Sequence, residues 1–574
     1  MLDKGLVLDD TEFPGPIRTV RMIYPKPLSY RPLLETSQIP DMPPELTGTL
    51  VSKLHAPRTA DVQGSARMAL DHLLYILDPN LESIPFAEVR STDSGWEREH
   101  EAGDSVGLAG RTLEAMLVLR RTTGSDADLD QEQSLRRSLL ERVNSNGLAF
   151  RLDSGFADLE ADIYDQADYL HYLVTWLELE DVTLVRALIG ANARGLLLLA
   201  DQSDEGIRFK HRAYLPDGSK ASGGDVDRTD PCLHGGNLIL PLTRAAQNMD
   251  DPIVTQLASG LVEYTVKHSG AFPENGPPQG DLHSRASTLL GILHYADMTK
   301  NPELRKWALG HVQTILGMGT EWGWFPSAIG QGYQDGAGVH SSPTGVLADM
   351  MRIALFLAKD DPSWYEVAER LGRNQLLAAQ WPDNAEDPMR GAFCSSCSAT
   401  ARGTGINSYS TAAGAQAMSL LAENIATSDE RGVRINFLIN GGNRDVIVLS
   451  EIPYRGRVTI EARTECRPFI RIPPWVENPH LDGEPISNSD IQGVYLDLGR
   501  MRPRGQHTLS FDLPERIENI ELAGTGVTVV WRGNAVIALL SSGTEQGAAL
   551  YSAEPLAPDE ETPLGTFSFF VAIH

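Results

Sequence analysis

Three stretches of this sequence gather side chains that could move protons or hold a sugar ring. In WEREHEAGD, at 96–104, Trp96 is followed by Glu97, Glu99, His100, Glu101 and Asp104. In GDLHSRAS, Asp281 stands two residues before His283, which falls one turn into a helical pattern. In EWGWFPSAIGQGYQDGAGVH, at 321–340, Trp322, Trp324 and Tyr333 offer ring faces, and Asp335 and His340 offer ionisable groups. Carboxylates, imidazoles and aromatics on one face are the equipment for acid/base cleavage of a glycosidic bond. Glycines flank Asp335 at a loop tip, which makes it the first candidate for a general acid, with Glu99 as its partner. His283 could bind a sugar hydroxyl or the scissile oxygen. Trp322, Trp324 and Tyr333 could stack on the sugar, with His100 and His340 beside them. Each also has a plainer reading: Asp104, Asp162 and Asp165 as helix caps, the glutamates as solvated charges, Asp335 as a turn residue.

Two further groups carry chemistry. IRFKHRAY, at 207–214, concentrates Arg208, Lys210, His211 and Arg212 in an otherwise acidic chain. Arg208 and Arg212 could hold a uronate carboxylate through charged hydrogen bonds, or the patch could pair with acidic neighbours. Cys394 and Cys397 have the spacing of half a tetrahedral zinc site, but Cys232 and Cys466 are isolated in sequence. Buried, reduced thiols are the expectation, with no metal and no cofactor.

The elements that must position these residues are helices. Apolar residues at i, i+3, i+4 and i+7 predict helices near 60–78, 106–122, 129–145, 163–179, 182–200, 233–249, 252–269, 282–299, 302–317, 343–359, 362–381 and 408–426. The links between them alternate. Residues 123–128, 180–181, 250–251, 300–301 and 360–361 are tight turns, whereas 79–105, 146–162, 201–232, 270–281, 318–342 and 382–407 are long. In an antiparallel series every second connection lies at the same end, so the six long loops must share one face. Loops of that length are uncommon unless they carry function. Six helical hairpins closed into a ring make an (α/α)6 toroid with one plain face and one cleft face.

After about residue 430 the period changes. RDVIVLSE, RVTIEART, GVYLDLG, HTLSFDL, GVTVVWRG and AVIALLSS alternate or run in β-branched residues between turn signals, as in an antiparallel β-sandwich. The organisation expected is an extended segment at 1–55, an (α/α)6 barrel at 56–428 and a β-sandwich at 429–574. A formal charge of −28 argues against nucleic acid as a whole-surface partner. No apolar run is long enough for a membrane span, and the start lacks the pattern of a signal peptide; a cytoplasmic location is the default expectation. An exposed sandwich face could support a homodimer.

PFIRIPPWV at 468–476, followed by GVYLDLG, HTLSFDLP and GVTVVWRGNAVIAL, resembles the sandwich of glycoside hydrolase family 127, the β-L-arabinofuranosidase-like proteins. LHGGNLILPL at 233–242, GDLHSRASTLLGILHYA at 280–296, GWFPS at 323–327 and ADMMRIALFLA at 348–358 resemble barrel landmarks of that group, in the same order. The resemblance covers roughly residues 60 to 540 and implies the toroid-plus-sandwich fold. It also implies a zinc site of three Cys and one Glu, with one thiolate as nucleophile and a Glu as acid/base. Laying ADM on the matching helix puts Pro343 and Gly345 at two ligand positions and Ser327 at the acid/base position. The paired thiols fall within Cys394, Ser395, Ser396 and Cys397. On that match the family's zinc-thiolate chemistry is not available to this chain.

The reading that follows is a glycosidase-like enzyme removing a terminal sugar by acid/base catalysis in the barrel cleft, with carbohydrate as its partner. Two alternatives stand beside it. One is a lyase on a uronate-containing substrate, with Tyr214, His211, Tyr333 and His340 supplying the residue types. The other is a degenerate relative that binds carbohydrate or an active partner.

Overall fold

The computed structural model of the protein describes residues 32–34, 38 and 49–571, except 93–94, 222–229, 275, 330–340, 387, 404, 542–547, 552–555 and 558–560. The helices are α1 (Val62–Tyr75), α2 (Ala109–Thr123), α3 (Leu129–Glu141), α4 (Ile163–Leu179), α5 (Thr183–Leu199), α6 (Asn237–Asn248) and α7 (Pro252–Lys267). They continue as α8 (Leu282–Met298), α9 (Pro302–Met318), α10 (Thr344–Ala358), α11 (Trp364–Leu371), α12 (Leu377–Ala379) and α13 (Ser408–Asn424). Wide turns of π type, Asp104–Leu108 and Cys232–Gly236, lead into α2 and α6, and a third, Gly372–Leu376, joins α11 to α12. The stretch predicted as one helix at 362–381 is thus an interrupted rod.

Helix starts follow capping chemistry. Asp61, Asp162, Asp251, Asp281, Asn301 and Asn407 each accept a backbone N–H of the first turn of the helix they precede. Pro252 and Pro302 occupy first-turn positions where no N–H is needed. Helices α2, α4, α6, α8, α10 and α13 pack neighbour to neighbour in a closed inner ring, and α1, α3, α5, α7, α9 and α11 lie outside it. The inner helices all start at the long-loop end.

The long loops meet there in pairs. Ala161–Asp162 of the second loop pairs with Ala213–Tyr214 of the third. Gly280–Asp281 of the fourth pairs with Ala328–Ile329 of the fifth, and Gly405–Asn407 of the sixth pairs with strand Glu88–Thr92 of the first. These ladders place the six long connections at one end of the ring, as the alternation of link lengths requires.

Beyond α13 the chain is β-structured. A five-stranded sheet contains Gly432–Ile435 and Pro468–Arg471, a six-stranded sheet contains Val446–Ser450, Arg457–Ala462 and Gln506–Asp512, and a three-stranded meander runs over Glu515–Leu522, Thr525–Arg532 and Ala535–Ser541. Pairing is antiparallel except between Gly432–Ile435 and Pro468–Arg471, which is parallel; the expectation of a purely antiparallel sandwich is corrected there. Strand Thr49–Pro57 pairs with Leu564–Val571, so the end of the N-terminal segment lies on the last strand described.

Charged and aromatic side chains join barrel to sheets. Arg471, fully buried, donates to Glu366 Oε2 at 2.7 Å, to Glu369 and to the Asn436 carbonyl at 2.6 Å. Arg373 donates to Glu369 Oε1 at 2.8 Å. Trp322 and Trp324, from the fifth loop, pack with Val527, Val529, Trp531 and Leu539 of the meander in a core separate from the main one.

Candidate functional site

The first turns of the inner helices make the floor of the looped end. Arg111 of α2 donates from Nε to Asp168 Oδ1 at 2.7 Å and from Nη2 to the Tyr164 hydroxyl at 2.8 Å, both on α4. The same Nη2 lies 3.1 Å from Nε2 of His283 on α8, whose Nδ1 lies 2.5 Å from Asp349 Oδ2 on α10. A guanidinium can only donate, so the lone pair of His283 points at Arg111 and the ring proton sits on Nδ1, facing Asp349. Tyr409 of α13 completes the group, its ring centroid 5.7 Å from the Arg111 guanidinium carbon.

Packing holds this arrangement. A Cβ on Gly110 would fall 2.9 Å from the Asp168 carbonyl carbon, so glycine lets α2 approach α4 closely. A Cβ on Gly345 would fall 3.3 Å from His283 Nδ1, so the start of α10 backs the imidazole. The side chains of His283 and Arg111 are 18% and 14% exposed, those of Asp349 and Asp168 2% and 3%. The imidazole and guanidinium therefore keep some exposed surface, and the carboxylates lie behind them.

Electrostatics follow from that layering. Burial pushes the Asp168 carboxyl up, Arg111 opposes it, and the balance lies at about 6. Asp168 Oδ2 is buried with no hydrogen-bond partner among the described residues. Asp165, one turn earlier on α4, is pushed up to about 7 by burial even though Arg151 donates to it at 2.7 Å. Burial works against charge on His283, but Asp349 outweighs it and raises the imidazole above its ordinary value. Burial pushes the Tyr164 and Tyr409 hydroxyls up, away from ionisation.

Of the residues picked from sequence, His283 is at this floor. Tyr333, Asp335 and His340 lie outside the described residues. Ser327 and Ser341, which bracket that stretch, are fixed next to His283: Leu282 N donates to the Ser327 carbonyl at 2.9 Å and Ser327 N to the Ser341 carbonyl at 3.0 Å. Glu99 stands exposed on the strand Gly95–Glu99 and is ion-paired with Arg90. Its pairing holds it on the hairpin surface, and no contact joins it to the floor group. His100 stacks between Phe86 and Phe156, with Nδ1 3.0 Å from Asp104 and Nε2 3.3 Å from Asp78; it pins the first loop.

Trp322 and Trp324 keep 1% and 2% of their surface. They are corrected from sugar platforms to anchors of the β-domain, Trp324 donating to the Ser398 carbonyl at 3.1 Å. The basic patch is internally paired: Arg208 and Lys210 with Asp201, and Arg212 with Asp162. Tyr214 is buried against the Leu199 carbonyl.

Sequence reasoning missed Arg111, Tyr164, Asp168, Asp349 and Tyr409, and took Asp165 for a cap. A signal was present. Asp165 and Asp168 are three apart in the apolar run IYDQADYLHYL, and Asp349 interrupts VLADMMRIALF; a charge on an inner helix must be paired or functional.

A zinc ion held as in family 127 would need three thiolates and a carboxylate. Cys394 and Cys397 are buried free thiols, Pro343 precedes α10, and Gly345 has no donor. Among the described residues no group of three or more His, Cys, Asp or Glu could hold a metal ion. Among the described residues that set of ligands is not assembled.

No protein-family model matches the sequence, and no curated protein matches it. Solved structures do match. A family 127 β-arabinofuranosidase superposes with a TM-score of 0.55 at 13% identity, covering 84% of this chain and 85% of its own. A family 127 β-L-arabinofuranosidase from Geobacillus stearothermophilus T6 gives 0.51 at 12% identity, covering 83% and 80%. A protein described as a glycoside hydrolase gives 0.51 at 13%, covering 75% and 77%. In fold, the chain is similar to the glycoside hydrolase family 127 arabinofuranosidases.

Proposed function

We propose that the protein is a carbohydrate-active enzyme of the glycosidase class that removes a terminal sugar at the looped end of the barrel. The observation that carries this reading is the His283–Asp349 pair: an imidazole at the cleft floor, its proton fixed on Nδ1 by a buried carboxylate 2.5 Å away. Arg111 Nη2, 3.1 Å from His283 Nε2, turns to the sugar when substrate enters and frees that lone pair; His283 Nε2 then takes a proton from the attacking water, and Asp349 stabilises the imidazolium that forms. The water oxygen bonds to the anomeric carbon as the glycosidic C–O bond breaks. We keep Asp335, which lies outside the described residues, as the group that protonates the leaving oxygen, for its place between glycines in the sequence. Arg111, set by Asp168, positions both the imidazole and the sugar.

The lyase alternative fares worse. It needs a tyrosine that ionises; burial pushes the Tyr214 hydroxyl up, Tyr333 lies outside the described residues, and the cations meant for a uronate are paired within the chain. The test is a panel of aryl glycosides, with the β-L-arabinofuranoside among them, and disaccharides of neutral and acidic sugars. Release of a free sugar, lost in His283→Ala and Asp349→Asn proteins that remain folded, is the expected result. Products absorbing in the ultraviolet through a new C=C bond would instead establish the lyase. Sugar binding without turnover on the whole panel would leave a binding protein.

A further inference from the structure

The inner ring has a second opening. At the short-turn end, the last turns of α2, α4, α6, α8, α10 and α13 surround a cavity of about 370 Å³, within the size range of small-molecule sites. It lies beyond the floor already described and shares a wall with it, Arg352 standing 3.5 Å from Asp349; His294, in the same cavity, stands eleven residues after His283 on α8, about 16 Å along the axis at helical rise.

Its charge runs against that of the molecule. In a chain of net charge −28, Arg121, Arg244, Arg352 and Lys359 line this cavity against Glu114, Glu178 and Glu423. The carboxylates are partly committed: Glu178 to Arg244 at 2.6 Å, and Glu114 to Thr175 at 2.8 Å and Gln416 at 2.9 Å. Glu423 is pushed toward its neutral form by burial. Among the described residues Lys359 has no ion-pair partner and lies over the Phe356 ring at 5.6 Å, while Arg121 acts on the Glu423 carboxyl without a bonded contact.

Negative helix C-terminal ends attract cations, which accounts for Arg121 and Lys359 in or next to last turns. It does not account for His171. That side chain sits in the middle of α4, more than nine-tenths buried, lines the cavity and has no hydrogen-bond partner among the described residues. His294 stacks on Phe356 at 4.1 Å with its nitrogens likewise unengaged. Burial and then Arg244 drive both rings to the neutral form, His294 down to about 3. Each therefore offers one N–H donor and one lone pair inside a ring of cations. Unpaired cations suit an oxyanion, and neutral imidazoles suit hydroxyls.

We propose that this short-turn-end cavity is a second binding site, for a monosaccharide-sized oxyanion that carries hydroxyl groups, either a sugar phosphate or a sugar carboxylate. The site is independent of the activity assigned to the cleft.

Calorimetric titration of the full chain with glucose 6-phosphate, glucuronate, inorganic phosphate and glucose tests it. The expected result is saturable binding of a sugar anion that falls with salt, with glucose at least tenfold weaker. Tighter binding of glucose 6-phosphate than of glucuronate would identify the phosphate as the source of the charge, and the reverse order the carboxylate. Lys359→Glu and Arg121→Glu, both at the rim, should each weaken binding at least tenfold, whereas Asp168→Asn in the cleft should leave it unchanged. Failure of both sugar anions to bind, equal binding of glucose, retention of affinity in both rim variants, or loss in Asp168→Asn would each overturn the proposal.

Discussion

Replacing Asp168 by Asn separates two ionisations that the cleft combines. His283 acts as a base only when neutral, so activity falls as pH drops through its raised value. Asp168 fixes Arg111 only when ionised. With its carboxyl at about 6, it is about nine-tenths ionised at pH 7 and about one-tenth at pH 5. Below pH 6 the two losses multiply, and log kcat/KM of the native protein should fall with a slope approaching two. Asn cannot ionise, so the variant should show a lower plateau and a slope of one. Stability supplies a second readout with a defined sign. The folded value of Asp168 lies above the ordinary carboxyl value of 3.8, so its contribution is greatest below pH 3.8 and is lost as pH rises through about 6. That difference of about two pH units corresponds to roughly 3 kcal/mol. Urea unfolding at pH 4, 5.5 and 7 should therefore show Asp168→Asn gaining on the native protein by up to that amount as pH rises. A slope of two in the variant, together with a stability difference that does not change with pH, would refute the assignment of Asp168 as the group that sets Arg111.

Other expectations are read with standard assays. Arg471→Met leaves the buried Glu369 and the partly buried Glu366 carboxylates short of a partner and should cost about 3–5 kcal/mol in chemical denaturation. Trp324→Ala should cost about 3–5 kcal/mol as a cavity between barrel and meander, with KM for the sugar unchanged; a raised KM at unchanged stability would restore the stacking role. Glu99→Gln should leave kcat/KM within about twofold, because its carboxylate is exposed and tied to Arg90.

The barrel was legible because the helices repeat the same apolar period, because six of them start on a capping Asp or Asn, and because link lengths alternate. The β-domain was legible from its period-two runs, apart from the parallel pair, since Gly432–Ile435 and Pro468–Arg471 meet across more than thirty residues of intervening chain and no local signal fixes their direction. The floor was harder. Its residues come from five helices, and nothing in the spacing of Arg111, Asp168, His283, Asp349 and Tyr409 announces that they meet. Loop aromatics misled for a physical reason. A long connection can reach a ligand or a second domain, and Trp322 and Trp324 reach Trp531. His283 was found because an imidazole in the first turn of an inner helix has few places to point except the cleft.

The three short ladders between long loops bear on how the specificity of this cleft can change. Second and third, fourth and fifth, sixth and first loops each share a short backbone ladder, and a Ser342–Cys397 bridge joins the fifth to the sixth, so the rim consists of one couple and one linked set of four rather than six free arms. A loop exchanged alone would leave its partner's amides unsatisfied, and a graft from another barrel would have to carry the whole couple or the whole linked set, with its register. Amide exchange should report the same unit: protection at Ala161 and at Tyr214 should fall together, and independently of Gly280 and Ala328. Selection on such a rim acts on pairs of segments that lie far apart in sequence and touch only here.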